Sequence, residues 1–216
     1  MPSLILLLGG KGQRFGGKKQ FLTINGKFLF ELLLDRVKDL FTEIVLVVPE
    51  EDIGWLKEKF PHFKFAKSGR ERQFSVFNGL KEVSQEVVAV HDGARPLAGR
   101  KLFEEALNLE NCDGKIPVIP LRDTVKEVSP RGEVVKTISR EGLFAVQTPQ
   151  GFKTKVLKEC HEKALRENFL GTDDAVLLER CKKKVCTFEG EVTNLKITYQ
   201  EDWEIAKCLL RSLEKY

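Results

Sequence analysis

The sequence predicts an α/β protein built on a mostly parallel sheet with helices on both faces. Three observations carry this. Short apolar runs of strand length alternate with helix-period segments from the N-terminus as far as Leu121. The links between successive runs are long enough for crossovers, which parallel neighbours require. A glycine-rich basic loop follows the first run directly, and in open α/β sheets ligands sit beyond the carboxyl ends of the strands.

Ser3 to Leu8 is an apolar run short enough for a fully buried first strand, and Gly9 to Gln20 is the loop that leaves it. Gly9, Gly10, Gly12, Gly16 and Gly17 leave amide groups uncovered, while Lys11, Arg14, Lys18 and Lys19 add positive charge, a combination that suits a polyphosphate. Two known phosphate loops almost fit. Gly12 to Lys18 matches a Walker A spacing, but Lys19 stands where Ser or Thr would hold magnesium. The dinucleotide fingerprint places a glycine where this chain has Phe15. Both are set aside.

Helix is expected over Phe28 to Phe41, strand over Glu43 to Val48, a short helix over Asp52 to Phe60 and a brief strand over Phe63 to Ala66. The polar loop Ser68 to Arg72 leads into a helix from Gln73 to about Val83, then a strand Val87 to Val90 and the cluster His91-Asp92-Gly93-Ala94-Arg95-Pro96. A helix over Lys101 to Leu109 and a strand over Ile116 to Leu121 complete the alternation.

At Arg122 the pattern changes. Thr124 to Val128 and Glu133 to Ile138 alternate around Ser129-Pro130-Arg131-Gly132 and read as a hairpin, which is marginal alone and calls for a partner surface. Beyond Gln147-Thr148-Pro149-Gln150 come a helix Thr154 to Glu167 and a second helix to about Lys182, capped by Thr172 or Asp173. Short strands are expected at Val185 to Phe188 and Leu195 to Tyr199, with a closing helix Asp202 to Tyr216. We read 1–216 as one domain, with 122–147 as an arm within it that serves dimerisation.

Composition narrows the function classes. With 42% apolar and 31% charged residues the chain is of ordinary globular type, and no apolar run is long enough for a membrane span. A net charge of +4, with basic and acidic residues interspersed, gives no nucleic-acid signature. A cytoplasmic protein is expected, since no basic leader or cleavage site precedes the first strand. Five cysteines without a Cys-x-x-Cys pair are read as reduced structural thiols. Cys160 and His161, adjacent on a helix, point apart and are not a nucleophile and its base. His91 is expected to hydrogen-bond within the fold.

Six pieces in order resemble one family: Gly9 to Phe15 with Lys19-Gln20, Val90 to Pro96, Arg122 to Lys126, Gln147 to Gln150, Thr172 to Asp174, and Asn194 to Thr198. The sequence resembles the 2-C-methyl-D-erythritol 4-phosphate cytidylyltransferases of non-mevalonate isoprenoid biosynthesis, over nearly the whole chain. The resemblance implies a Rossmann-like nucleotidyltransferase fold related to the glycosyltransferase-A type, CTP and a polyol phosphate as substrates, magnesium with the CTP, release of pyrophosphate, and a homodimer. It places Arg14 and Lys19 against the triphosphate, with Lys196 as a third catalytic cation. Gly9, Gly10, Lys11, Gly12, Gly69, Ser75, Asp92 and Gly93 match nucleotide-binding positions. Asp92, Arg95, Thr124, Arg140, Thr148, Thr172 and Lys196 match positions around the acceptor; no protein ligand to the metal is assigned.

This chain departs from the family pattern at Lys18, where proline is usual, at Gly9 and Gly93, where alanine is usual, and at Tyr199-Gln200. These positions affect loop stiffness rather than reacting groups. The ribitol-5-phosphate cytidylyltransferases share nearly all these motifs and differ in the acceptor pocket. A nucleotide-binding module without turnover is the other alternative, against which stand Arg14, Lys19 and Lys196 together.

Overall fold

Strand β1 (Ser3–Leu7) lies at the middle of the sheet, with β4 (Glu43–Val48) parallel on one side and β6 (Val87–Asp92) parallel on the other. This arrangement, in a computed structural model, describes residues 1–10, 12 and 14–213; the predicted nucleotide contact Lys11 lies outside the described residues. Leu4, Leu6 and Leu8 point to one face and Ile5 to the other, and both faces are covered, which explains why the run is apolar from Leu4 to Leu8. Strand β5 (Lys64–Lys67) extends the parallel set beyond β4.

On the far side of β6 the sheet turns antiparallel. Strand β11 (Gln150–Lys153) pairs antiparallel with β6 and with the start of β7 (Gly114–Pro120), whose end pairs antiparallel with β10 (Phe144–Val146). Strand β12 (Val185–Glu189) runs parallel to β7. Among the described residues these eight strands form one sheet in the order β10-β7-β11-β6-β1-β4-β5, with β12 joined to β7. Two further pairs stand apart, β2 (Thr23–Ile24) with β3 (Lys27–Phe28), and the arm β8 (Val125–Val128) with β9 (Val134–Ile138).

Helices α1 (Leu29–Val37), α2 (Ile53–Lys59) and α4 (Arg100–Leu107) bury Phe30, Leu33, Leu56 and Phe103 against one face of the sheet. Helices α3 (Arg72–Leu80), α5 (Thr154–Arg166) and α6 (Ala175–Arg180) bury Val76, Leu157 and Leu177 against the other. Helix α7 (Gln200–Leu213) buries Ala206 and Leu210 in a third cluster with Phe15 and Ile197. Among the described residues no helix is long and apolar enough to cross a membrane.

The mostly parallel sheet, helices on both faces and an added hairpin agree with the fold read from the sequence. Three local expectations are corrected. Leu195 to Tyr199 is not a strand; Ile197 N–H bonds Ala94 carbonyl at 2.8 Å, and Thr198 and Tyr199 N–H both bond Asp202 Oδ2 at 2.8 Å. The amides of Leu195, Ile197, Thr198 and Tyr199 are spent on a loop and a helix start rather than on a ladder. β11 escapes sequence reading because Gln150-Gly151-Phe152-Lys153 carries one large apolar side chain, although the strand is central. Its Gly151 is required by close approach, since a Cβ there would lie 1.8 Å from the Ala106 carbonyl of α4. Third, Cys112 and Cys186 are not free thiols but a disulfide, with Cα atoms 6.0 Å apart. The parallel β12–β7 register sets Cys186 beside Lys115 and so close to Cys112, a proximity that a separation of 74 residues hides.

Glu43 staples the edge of this sheet. Its carboxylate accepts Ser3 Oγ at 2.6 Å, Lys64 Nζ at 2.7 Å and both the Ser84 amide and hydroxyl, at 2.9 and 2.8 Å. Burial opposes its charge, yet Lys64, Ser3 and Ser84 outweigh that and hold the carboxyl at about 2 against an ordinary 4.5. A carboxyl depressed in the folded state stabilises fully above its unfolded value and loses that contribution as pH falls through the folded one.

Wild type is therefore expected to exceed Glu43→Gln in stability by on the order of 2 kcal/mol at neutral pH. In denaturant titrations at stepped pH the difference should shrink below pH 4.5 and vanish near 2; a pH-independent difference would contradict the assignment. Replacing Cys112 and Cys186 by serine should cost about 4 kcal/mol, the order expected for a loop of this length. A melting temperature unmoved by reductant or by the double substitution would show that the bridge does not form.

Candidate active site

The parallel register brings three loops to one edge. β1 pairs Leu7 with Asp92 of β6 and with Val47 of β4, while β4 pairs Val48 with Lys67 of β5, so the chain segments after Leu7, Lys67 and Asp92 emerge side by side. The chain leaves β1 toward β4 and later returns to its other side with β6, a switch point of the kind that opens a crevice. A cavity of about 810 Å³ occupies this edge, lined by Gly9, Gly10, Gly12, Arg14, Lys19, Gly69, Ser75, Asp92 and Lys196 among others.

The glycine loop is shaped by its own backbone and anchored from the C-terminal segment. Gly12 has φ of +62°, its carbonyl accepts the amides of Phe15, Gly16 and Gly17 at 2.9, 2.9 and 3.3 Å, and a Cβ on it would lie 1.8 Å from Gly17 oxygen. Phe15 is buried against Ile197, Ala206 and Leu210, and Gln200 Nε2 donates to the Phe15 carbonyl at 2.7 Å. Lys19 Nζ donates to the Ile197 carbonyl at 2.6 Å, and the Arg14 guanidinium lies 5.9 Å from the centre of the Tyr199 ring. Residues 196–200 thus strap the loop in place, a role that a strand-like stretch of sequence gives no sign of.

Opposite the loop, Gly69 N–H donates to Ser75 Oγ at 2.9 Å and Ser75 Oγ donates to Glu71 carbonyl at 3.2 Å, closing the turn into α3. Gly69 has no room for a side chain, since a Cβ would stand 2.3 Å from that of Phe74. Asp92, at the end of β6, accepts Arg72 Nε at 3.0 Å on one oxygen and Lys196 Nζ at 2.6 Å on the other. Burial disfavours the Asp92 charge, but Arg72 and Lys196 outweigh it and hold the carboxyl well below the usual carboxylate range.

The cations of the cavity divide into two sets. Lys18 is paired with Asp52 at 2.7 Å, Lys67 with Glu50, and Arg72 and Lys196 with Asp92. Arg14, Lys19 and Arg70 have no carboxylate within ion-pair distance among the described residues. Burial first, then the neighbouring charges of Lys196 and Arg14, push the Lys19 ammonium below the ordinary lysine value. Positive charge is therefore concentrated against its own repulsion where the glycine amides are exposed.

Not every predicted site residue reaches this cavity. Thr148 lies beneath it, its Oγ accepting the Asp92 amide at 3.1 Å and meeting His91 Nδ1 at 3.1 Å. His91 is buried, contacts the Arg95 carbonyl through Nε2 at 3.1 Å, and burial lowers its pKa to about 4, so it serves the fold as expected. Gly93 donates to Leu7 carbonyl at 2.9 Å and is buried behind the wall; a Cβ there would stand 2.3 Å from the Leu8 side chain. Arg95 donates Nη1 to Asn194 carbonyl at 2.7 Å, outside the cavity lining. Thr172 is exposed on the approach to α6, where Asp173 Oδ1, rather than Thr172, accepts the Val176 amide at 3.1 Å. Thr124 and Arg140 are exposed at the base of the arm, with Arg140 Nη1 donating to Arg122 carbonyl. Sequence reading assigns no role to Arg72, Asp174 or Gln20, although Gln20 and Asp174 fall within the family-like pieces and Arg72 ends the polar turn from Ser68.

The whole chain has close relatives. The family model described as 2-C-methyl-D-erythritol 4-phosphate cytidylyltransferase matches residues 3–212. A protein of that name from Aquifex aeolicus is 45% identical over 210 residues, covering 97% of this chain and 98% of the relative. One from Bacillus mycoides is 41% identical over 227 residues, with both chains covered completely. Among solved structures, 4-diphosphocytidyl-2C-methyl-D-erythritol synthase from Anaerococcus prevotii superposes with a TM-score of 0.84 at 32% identity, covering 98% of each chain. The cytidylyltransferase from Thermus thermophilus gives 0.83 at 33% identity, covering 96% of this chain and 98% of the other. With a basic, glycine-lined cavity at the switch point and agreement of this extent along its length, the chain belongs to the 2-C-methyl-D-erythritol 4-phosphate cytidylyltransferase family.

Proposed function

We propose that the protein transfers the cytidylyl group of CTP to 2-C-methyl-D-erythritol 4-phosphate, as members of its family are named for doing. An oxygen of the acceptor phosphate attacks the α-phosphorus of CTP, forming the new phosphoanhydride bond, and the bond to the bridging oxygen breaks to release pyrophosphate. The protein supplies no nucleophile. Two like charges at 4 Å repel by about 4 kcal/mol at the effective dielectric of a protein surface, so the work lies in charge neutralisation and alignment.

The observation that carries this reading is the set of unpaired cations Arg14 and Lys19 beside exposed glycine amides. In the proposal the amides of Gly9, Gly10 and Gly12 hold the β- and γ-phosphates, and Arg14 and Lys19 stabilise the charge that gathers on the transferring and departing phosphates. Gly69 and Ser75 meet the cytosine ring and Gly93 backs the ribose. Asp92 and Arg95 meet the acceptor hydroxyls. Lys196, Thr148 and Thr172 surround its phosphate.

Magnesium enters with the nucleotide. Among the described residues no group of three His, Cys, Asp or Glu converges on a metal position, and both oxygens of Asp92 already face cations. The residues present do not build a resident magnesium cage, so the ion belongs to the Mg·CTP substrate and no protein step is routed through it.

Thr124 and Arg140, exposed on the arm, supply the acceptor site of a second subunit in this proposal. The arm and the strand that follows it expose Val128, Val134, Val135 and Phe144, each more than half accessible, which favours a homodimer. The enzyme is placed in the cytoplasm, with its phosphorylated substrates.

Arg14→Ala and Lys19→Ala are each expected to lower kcat about a hundredfold or more in a pyrophosphate-release assay with CTP and magnesium. An unchanged kcat would remove both from the reaction. Comparing 2-C-methyl-D-erythritol 4-phosphate with ribitol 5-phosphate in that assay tests the acceptor, and a clear preference for the latter would replace it. Sedimentation should show a dimer that Val135→Glu weakens, with turnover falling in parallel. A wild-type monomer of full activity would rule the dimeric site out.

A further inference from the structure

The cavity floor continues into the protein as a single line of hydrogen-bonded polar side chains. Arg72, the first residue of α3, bridges two carboxylates, giving Nε to Asp92 Oδ1 at 3.0 Å and Nη1 to Asp174 Oδ2 at 2.6 Å. The second oxygen of Asp92 takes Lys196 Nζ at 2.6 Å, and the second oxygen of Asp174 takes His161 Nε2 at 3.2 Å. The line runs from the core to the substrate edge. His161 and Asp174 are 0% and 1% exposed, Arg72 is 25% exposed, and Lys196 is 41% exposed on the cavity.

Asp174 and His161 do not line the cavity, so their place in this line is not explained by contact with a ligand. Burying a carboxylate costs several kcal/mol unless a cation and hydrogen bonds compensate it, and apolar residues would fill the same space more cheaply. The planar fork of arginine is the side chain that can hold two carboxylates at a fixed angle. One positive charge is thereby shared between two negative ones. Asp92 is left incompletely neutralised by Arg72 and completes its neutralisation with Lys196. With Asp174 neutral, Arg72 would be free to turn its fork toward Asp92, in competition with Lys196.

We propose that Asp174, backed by His161, is a positioning residue that acts through Arg72 to fix Asp92 and hold Lys196 at the cavity. The kinetic consequence rests on the transferase reading above; the geometric consequence does not.

Two measurements separate these. In ligand-free protein the ¹⁵N resonance of the Lys196 ammonium, assigned by its loss in Lys196→Gln, should move toward that of a solvated lysine in Asp174→Asn; an unmoved resonance overturns the proposal. In turnover, Asp174→Asn should lower kcat/KM for the polyol phosphate about tenfold, with a change of less than about twofold in an Asp92→Asn background, because displaced groups act only through that carboxylate. An equal loss in both backgrounds would mean that Asp174 merely stabilises the fold, and overturns the proposal. Arg72→Lys keeps the charge and loses the fork. It should reproduce the Asp174→Asn losses, and full activity would refute the bridge. It carries both measurements if Asp174→Asn does not fold. A wild-type protein that releases no pyrophosphate with any acceptor sinks the transferase reading, and the resonance comparison then decides the relay.

Discussion

Crowding of like charge is the condition on which the rest of this site depends. Lys19 is half-buried, with Lys196 and Arg14 near enough to make its own proton harder to keep. Such a cluster raises the energy of the empty protein, and under the proposed function a tetra-anionic nucleotide would relieve it. The surrounding architecture keeps the cations from escaping. Lys19 is tied to the Ile197 carbonyl, Lys196 to Asp92, and the loop bearing Arg14 is pinned through Phe15 and Gln200.

The sheet supplies the precision. Strands β1, β4, β5 and β6 are parallel and in register, so the turn after each opens on the same edge, and a shift of any one would carry Asp92 or Gly69 away from the glycine loop. Glycines are needed where chains meet without space for a side chain, at Gly69 against Phe74 and at Gly93 against Leu8. An alanine at position 93 would require Leu8 to move.

Much of this was legible from residue order. A buried first strand followed by glycines and lysines gave the loop, and strand–helix alternation gave the sheet and the edge at which His91 to Pro96 would emerge. The illegible parts share a physical origin: they are set by contacts distant in sequence. Gln150 to Lys153 is a strand because two neighbours offer it ladders, and Cys112 finds Cys186 because β12 returns beside β7. Leu195 to Tyr199 has the composition of a strand, but its amides are taken by Ala94 and Asp202. The Arg72 bridge joins residues separated by 20 and 102 positions, and nothing local marks it.

The central claim is that positive charge is held together in advance of the nucleotide. Its most direct test is the titration of the Lys19 ammonium by NMR, in the free protein and with CTP bound. The account predicts a pKa below the ordinary 10.5 in the free protein, and a rise when CTP binds. An ordinary value that CTP leaves unchanged would contradict it.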